Sequence, residues 1–235
     1  MVKSLQLLFN AFGQLIFPHT CSACGSDMLH ADAGVCSSCL HQLPLTGYHK
    51  QSGNAVEKIF WGRIAMQQAA ACCFFTKKSR VQSIMHQVKY KHRRDTAVQI
   101  GEFMGHQLLS ASWLPEIDLL LPMPLHKKRL QQRGYNQAAL LCEGMQTVLK
   151  IPLLTTAISR RNETISQTSQ QRSDRWENMQ KVFEVSEPEK LTGKHVLLVD
   201  DVVTTGATLE AMGEQLLRTP ELKLSIYCFA YTLPH

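Results

Sequence analysis

The residues best placed to do chemistry stand near the C-terminus, in Val196-Leu197-Leu198-Val199-Asp200-Asp201-Val202-Val203-Thr204-Thr205-Gly206-Ala207-Thr208-Leu209. An apolar run, two adjacent carboxylates and a Thr/Gly turn predict a buried strand that ends at the acidic pair, then a loop and a helix. In that geometry the turn aims successive N–H groups at an anion, and the helix dipole adds partial positive charge. Gly206 lets the backbone approach closely, while Thr204, Thr205 and Thr208 offer hydroxyl donors. Asp200 and Asp201 can accept hydrogen bonds from vicinal hydroxyls or hold a metal ion through water. A phosphate cradle beside a diol acceptor is what a 5-phosphoribosyl group requires. No Walker lysine is present, which separates the segment from an ATPase loop. An ordinary capped turn leaves the paired carboxylates unexplained.

A second segment, Leu121-Pro122-Met123-Pro124-Leu125-His126-Lys127-Lys128-Arg129 through Arg133-Gly134-Tyr135-Asn136-Gln137, follows an expected strand. Its loop, Met123, Pro124 and Leu125, can fix N–H donors, and Arg129 and Arg133 add the cations a pyrophosphate needs. A third stretch, 160–181, is polar and without an evident element, which reads as a long functional loop. Farther upstream, Cys21-x-x-Cys24 and Cys36-x-x-Cys39 have the paired spacing of a tetrahedral thiolate site. Four thiolates leave no open coordination position, so the expected zinc is structural; a redox pair is the rival reading. The basic run Lys89, Lys91, Arg93 and Arg94 around Tyr90 is either a nucleic-acid track or a solvated face.

Positioning these groups requires a sheet. Gln51 to Asn54 reads as a linker, and Trp61 to Phe75 is strand-like. Val81, Ile84, Met85 and Val88 form one helical stripe, and Ala97, Ile100, Met104 and Leu108 resume it after the basic break. A helix from Asn136 to about Leu149, a short strand at Leu153-Leu154, a helix after Thr208 and a last strand from Leu224 to Tyr231 complete an alternation. Strand and helix in turn imply an α/β fold, a mostly parallel sheet with helices on both faces. Ligands of such sheets bind at the carboxyl ends of the strands.

The whole chain has 235 residues, 44% of them hydrophobic, enough for a core and too many for a disordered chain. Lys plus Arg is 25 against 19 Asp plus Glu, a balance that favours anionic partners without choosing among them. No apolar run approaches the roughly 20 residues of a membrane span. Leu5, Leu8, Phe9, Phe12 and Ile16 lie on one helical face, interrupted by Gln6, Asn10 and Gln14, which reads as a docking helix rather than an export signal. A cytoplasmic location, peripheral to the inner membrane if that helix docks there, is expected. The division that follows is an amphipathic helix at 1–17, a small four-cysteine zinc-binding module at 18–50 and an α/β domain at 55–235.

Three of these segments together carry a resemblance. The acidic pair with its Thr/Gly turn resembles the phosphoribosyl-pyrophosphate motif of type I phosphoribosyltransferases. The P-M-P-L-H-K-K-R loop and R-G-Y-N-Q entry resemble the ComF/GntX family, where Met123 is usually Val and Tyr135 usually Phe. Arg160, Thr164, Gln167 and Arg172 resemble that family's lid, with Arg175 and Asn178 in the following block and Gln170 where Leu is common. The Cys quartet after Ile16-Phe17-Pro18 matches the zinc knuckle with which many members begin. The resemblance implies a type I phosphoribosyltransferase-like fold binding phosphoribosyl pyrophosphate with Mg2+. It implies ribose and 5′-phosphate held by residues 200, 201 and 204–208, and a catalytic role for Asp200, Asp201 and Arg175 if transfer occurs. It further implies a part in DNA uptake during natural transformation, handling single-stranded DNA with competence proteins. A non-catalytic sensor of phosphoribosyl pyrophosphate and a metabolic glycosyltransferase of unknown acceptor are the alternatives.

Overall fold

The computed structural model describes residues 20–27, 33–160 and 182–233. Four strands, β1 (Gln68–Phe75), β2 (Leu119–Pro122), β5 (His195–Val203) and β6 (Lys223–Thr232), form one sheet in the order β1-β6-β5-β2, and every pairing is parallel. β3 (Ile158–Arg160) and β4 (Phe183–Val185) make a separate antiparallel pair. Between them run the helices α1 (Ser37–His41), α2 (Ala55–Phe60), α3 (Arg80–Tyr90), α4 (Arg94–Leu108), α5 (Lys127–Arg133), α6 (Gln137–Leu149) and α7 (Ala207–Leu216).

The parallel order follows from burial on both faces. In β5, Leu197 and Val199 pack on the side of α3, α4 and α6, while Val196 and Leu198 pack on the side of α2 and α7. Alternate residues of a strand point to opposite faces, so a run without polar interruption must be covered twice. The two expected stripes are real: every stripe residue from Val81 to Leu108 is buried, and the helix breaks into α3 and α4 at Lys91–Arg93. α4 and α6 pack at backbone contact through Gly101 and Gly144. A methyl group on Gly101 would lie 2.1 Å from the Leu141 carbonyl oxygen, and one on Gly144 would lie 2.0 Å from that of Val98.

Three expected elements differ. The strand begins only at Gln68, because Asn54 starts α2: its side chain accepts from the N–H groups of Val56 and Glu57 and donates to the Ala69 carbonyl at 2.9 Å. Asn54, the last residue of the expected linker, is therefore a buried cap that ties α2 to β1, while Gln51 and Ser52 are exposed. Leu153 makes a single parallel bridge to Leu120 instead of a strand. The acidic pair lies within β5, which runs on to Val203. The Cys segment shares its core with the main body, since Cys21, Val35 and Cys39 pack with Val81, Ala97 and their neighbours. Among the described residues no helix is long and apolar enough to cross a membrane. The N-terminal helix, Thr164, Gln167, Arg172, Arg175 and Asn178 lie outside the described residues.

Candidate functional site at the end of the central strand

Asp200 and Asp201 are the sixth and seventh of the nine residues of β5, toward its carboxyl end. Asp201 reaches α3, with Oδ2 at 2.9 Å from Lys89 Nζ. Asp200 accepts the Asp201 N–H at 2.8 Å and lies in the field of Arg160 on β3. Burial first, and the neighbouring Asp201 carboxylate second, push the Asp200 carboxyl up to about 7. The Asp201 amide, Lys89 and Arg160 pull the other way. Burial holds the Arg160 guanidinium below its ordinary range and nearby Arg129 adds to this, while Asp200 opposes both. Arg160 Nε has no hydrogen-bond partner among the described residues. The acidic pair thus faces Lys89 from α3 and Arg160 from β3, with Arg129 of α5 acting on Arg160.

Past Val203 the chain turns through Thr204 and Thr205 into α7. Gly206 caps the helix at φ +75° with no side-chain bond, which leaves the first-turn amides to a ligand. The hydroxyl-bearing residues Thr204, Thr205 and Thr208 are exposed; Ala207 is half-buried. The turn is braced from behind. A methyl group on Gly206 would fall 2.6 Å from Ile59 Cγ2 and 2.8 Å from Phe60 Cε1. Arg63 donates to the Thr205 carbonyl at 3.1 Å and pairs with Glu210 on α7.

The second loop meets the same edge. Asn136 donates to the Met123 carbonyl at 2.9 Å and caps α6 through the Ala138 N–H, so one side chain fixes both ends of the Met123–Tyr135 excursion. Met123 itself is a correction to the expected pyrophosphate contacts. Its side chain is buried and its N–H donates to the Val199 carbonyl at 2.8 Å, which leaves it no open donor. Pro124 and Leu125 are half-buried at the mouth. Arg129 and Arg133, with Lys89, Tyr90, His92 and Gln132, line a cavity of about 380 Å³. Arg133 also lies 5.6 Å from the ring centre of Tyr90. Tyr135, buried, donates its hydroxyl to the Val88 carbonyl and thereby holds the end of α3 that carries Lys89.

The four residues of the expected cationic track are placed differently from one another. Lys89 faces Asp201; Arg93 is spent on Asp95 and on the Thr20 carbonyl; Arg94 lies 5.6 Å from the Tyr135 ring centre. These are intramolecular tasks, and of the four only Lys91 is left exposed without one of these contacts. Sequence reasoning therefore missed Lys89 as the partner of the acidic pair.

Cys21, Cys24, Cys36 and Cys39 place their sulfur atoms within 4.8 Å of one another. The Cys36 and Ala23 N–H groups donate to Cys21 Sγ at 3.3 and 3.4 Å, and Ser26 Oγ lies 2.9 Å from Cys24 Sγ. Hydrogen bonds to sulfur stabilise thiolates, and Arg80 at the start of α3 contacts Cys39. The set fits one tetrahedral ion with all positions filled.

Comparison with known proteins gives the following similarities. Residues 136–232 match the phosphoribosyl transferase domain family. The chain is 29% identical to the DNA utilization protein YhgH of Escherichia coli O157:H7 over 217 residues, 91% of this chain and 90% of that protein. It is 29% identical to competence protein F of Haemophilus influenzae over 215 residues, 91% of this chain and 85% of that one. A Bacillus subtilis glutamine phosphoribosylpyrophosphate amidotransferase structure matches 62% of this chain and 30% of its own, with 14% identity and a TM-score of 0.44.

Proposed function

We propose that this chain, which is similar to DNA utilization and competence proteins and matches the phosphoribosyl transferase domain family over residues 136–232, binds phosphoribosyl pyrophosphate with Mg2+ at the end of β5. The observation that carries the reading is the opposition, across one strand end, of an acidic pair and an open threonine-lined helix start. In this reading the 5′-phosphate takes the amides of residues 204–208 and the threonine hydroxyls. Asp200 and Asp201 accept from the ribose hydroxyls, which requires Asp201 to release Lys89. Arg129 and Arg133 meet the pyrophosphate, and Arg160 directs its unpaired Nε toward the same charge. Mg2+, when bound, neutralises charge on the diphosphate. The acidic pair is the residue set to hold it, through water. The four cysteines hold a structural zinc that fastens the N-terminal segment to α3 and α4.

Transfer would break the bond from the anomeric carbon to the diphosphate oxygen as an acceptor nucleophile, or water where no acceptor is bound, bonds to that carbon and gives up its proton to solvent, and the departing pyrophosphate would leave its charge to Arg129, Arg133 and Arg160. No nucleophile of the protein is needed. The biological role we infer is handling of single-stranded DNA during uptake, on the strength of the relatives' names and of a basic cavity beside exposed Tyr90. Incubation with Mg2+ and phosphoribosyl pyrophosphate, with and without single-stranded oligonucleotide, reads both parts. Pyrophosphate release lost in Asp200→Asn/Asp201→Asn supports a transferase. Binding without release supports a sensor. Oligonucleotide affinity that ignores salt contradicts the nucleic-acid role.

A further inference from the structure

A second site lies beside the face of α2 that carries Glu57, next to Trp61. Trp61 closes α2 and is 57% exposed, unusual for the largest apolar side chain in a molecule with room to bury it. Beside it opens a cavity of about 540 Å³, lined by Gly53, Glu57, Trp61, Met66 and Gln67 among others. Glu57 is only 5% exposed. Its Oε2 accepts the Gly53 N–H at 2.6 Å, completing the α2 cap, while its Oε1 has no hydrogen-bond partner among the described residues. A buried carboxylate oxygen without a donor is costly, and a ligand N–H would relieve it.

Three features narrow the ligand. An exposed indole flanking a cavity is a stacking platform for a flat ring. The unfilled carboxylate oxygen asks for N–H donors on that ring's edge. Lys58 already stands 5.9 Å from the indole centre, so a second cation there meets repulsion and a neutral heterocycle does not. Gly53, whose added methyl would come within 3.9 Å of the indole, keeps the ring's edge unobstructed.

We propose that the Glu57–Trp61 cavity binds a nucleobase, stacked on Trp61 and read by Glu57, with preference for guanine. Guanine alone among the common bases presents two adjacent N–H groups, N1 and N2, of which one would meet the unfilled Oε1 and the other would share Oε2 with the Gly53 N–H. Thymine presents one N–H between two carbonyl oxygens, which the carboxylate repels. The site is separate from the phosphoribosyl reading and does not depend on it.

The test is titration of the full chain with guanosine, adenosine, cytidine and thymidine, followed by tryptophan fluorescence. Nucleosides lack the 5′-phosphate that the threonine loop would take. Saturable quenching by guanosine, at least fivefold tighter than by thymidine, is expected. Trp61→Ala, at an exposed position, should weaken guanosine binding at least tenfold by calorimetry. Glu57→Gln should bring guanosine to the level of the other nucleosides while quenching persists; its far-ultraviolet circular dichroism reports whether α2 is intact. If that variant unfolds, the four-nucleoside ranking and Trp61→Ala decide alone. Asp200→Asn/Asp201→Asn should leave guanosine binding unchanged. Equal affinities, no saturable quenching, indifference to Trp61→Ala, or loss in the double aspartate variant would each overturn the proposal.

Discussion

Asp200 experiences conflicting neighbours: burial and Asp201 favour its proton, whereas Lys89, Arg160 and the Asp201 amide favour its charge. The outcome, about 7 against an ordinary 3.8, has a definite sign. Between those values the folded chain keeps a proton that the unfolded chain has lost. Stability therefore falls as pH rises from about 4 to about 7 and levels off above. Asp200→Asn should abolish that part of the slope and make the protein more stable than the parent at pH 8, as chemical denaturation at a series of pH values would read. Lys89→Met acts in the opposite sense. It leaves Asp201 unpaired next to Asp200, so the pair's upper titration should move to higher pH, visible in the carboxyl resonances. Binding of a Mg2+-charged ligand, which needs the carboxylates ionised, should weaken as pH drops below about 7. These residue types were legible in the sequence, and their chemistry with them. The partners were not, because Lys89 and Arg160 reach the pair only through the folding of β1–α3 and β3.

At the scale of elements, the phosphate turn depends on what lies behind it. Gly206→Ala would add a methyl group into Ile59 and Phe60 at a left-handed φ, so both backbone strain and overpacking oppose it. A loss of about 1–3 kcal/mol is expected from such overpacking, with a matching loss of affinity for inorganic phosphate if α2 shifts. Urea denaturation and phosphate titration check the two halves of this prediction separately. The alternation of buried strands and amphipathic helices made the parallel sheet readable, because each apolar run had to be covered on both faces. The start of α2 was also written, in Asn54 followed three residues later by Glu57, a capping pattern hidden within what looked like a linker. Leu153-Leu154 misled, since two apolar residues signal burial but not how long a ladder will be.

The whole molecule is held at its N-terminal side by a segment too short to bury a core of its own. Cys21 and Cys39 instead join the core that α3 and α4 build, and Arg93 donates to the Thr20 carbonyl. Removing the proposed zinc should therefore loosen the same helix whose last turn carries Lys89. Cys36→Ser or prolonged chelation is expected to lower the thermal midpoint and to reduce affinity at the distant acidic pair; elemental analysis should give one zinc per chain in the parent and a deficit in the variant. Zinc absent from the parent protein would contradict this linkage. The cysteine spacing announced the close quartet of sulfur atoms, whereas the shared core could not be read from a segment whose apolar residues show no period.

Isothermal calorimetry of the full chain with Mg2+ and phosphoribosyl pyrophosphate probes the strand-end site most directly. One saturable site per chain, lost when Asp200 and Asp201 both become Asn and strengthened from pH 6 to pH 8, is the predicted result. Absence of heat in the parent, or the same isotherm in the double variant, would contradict it.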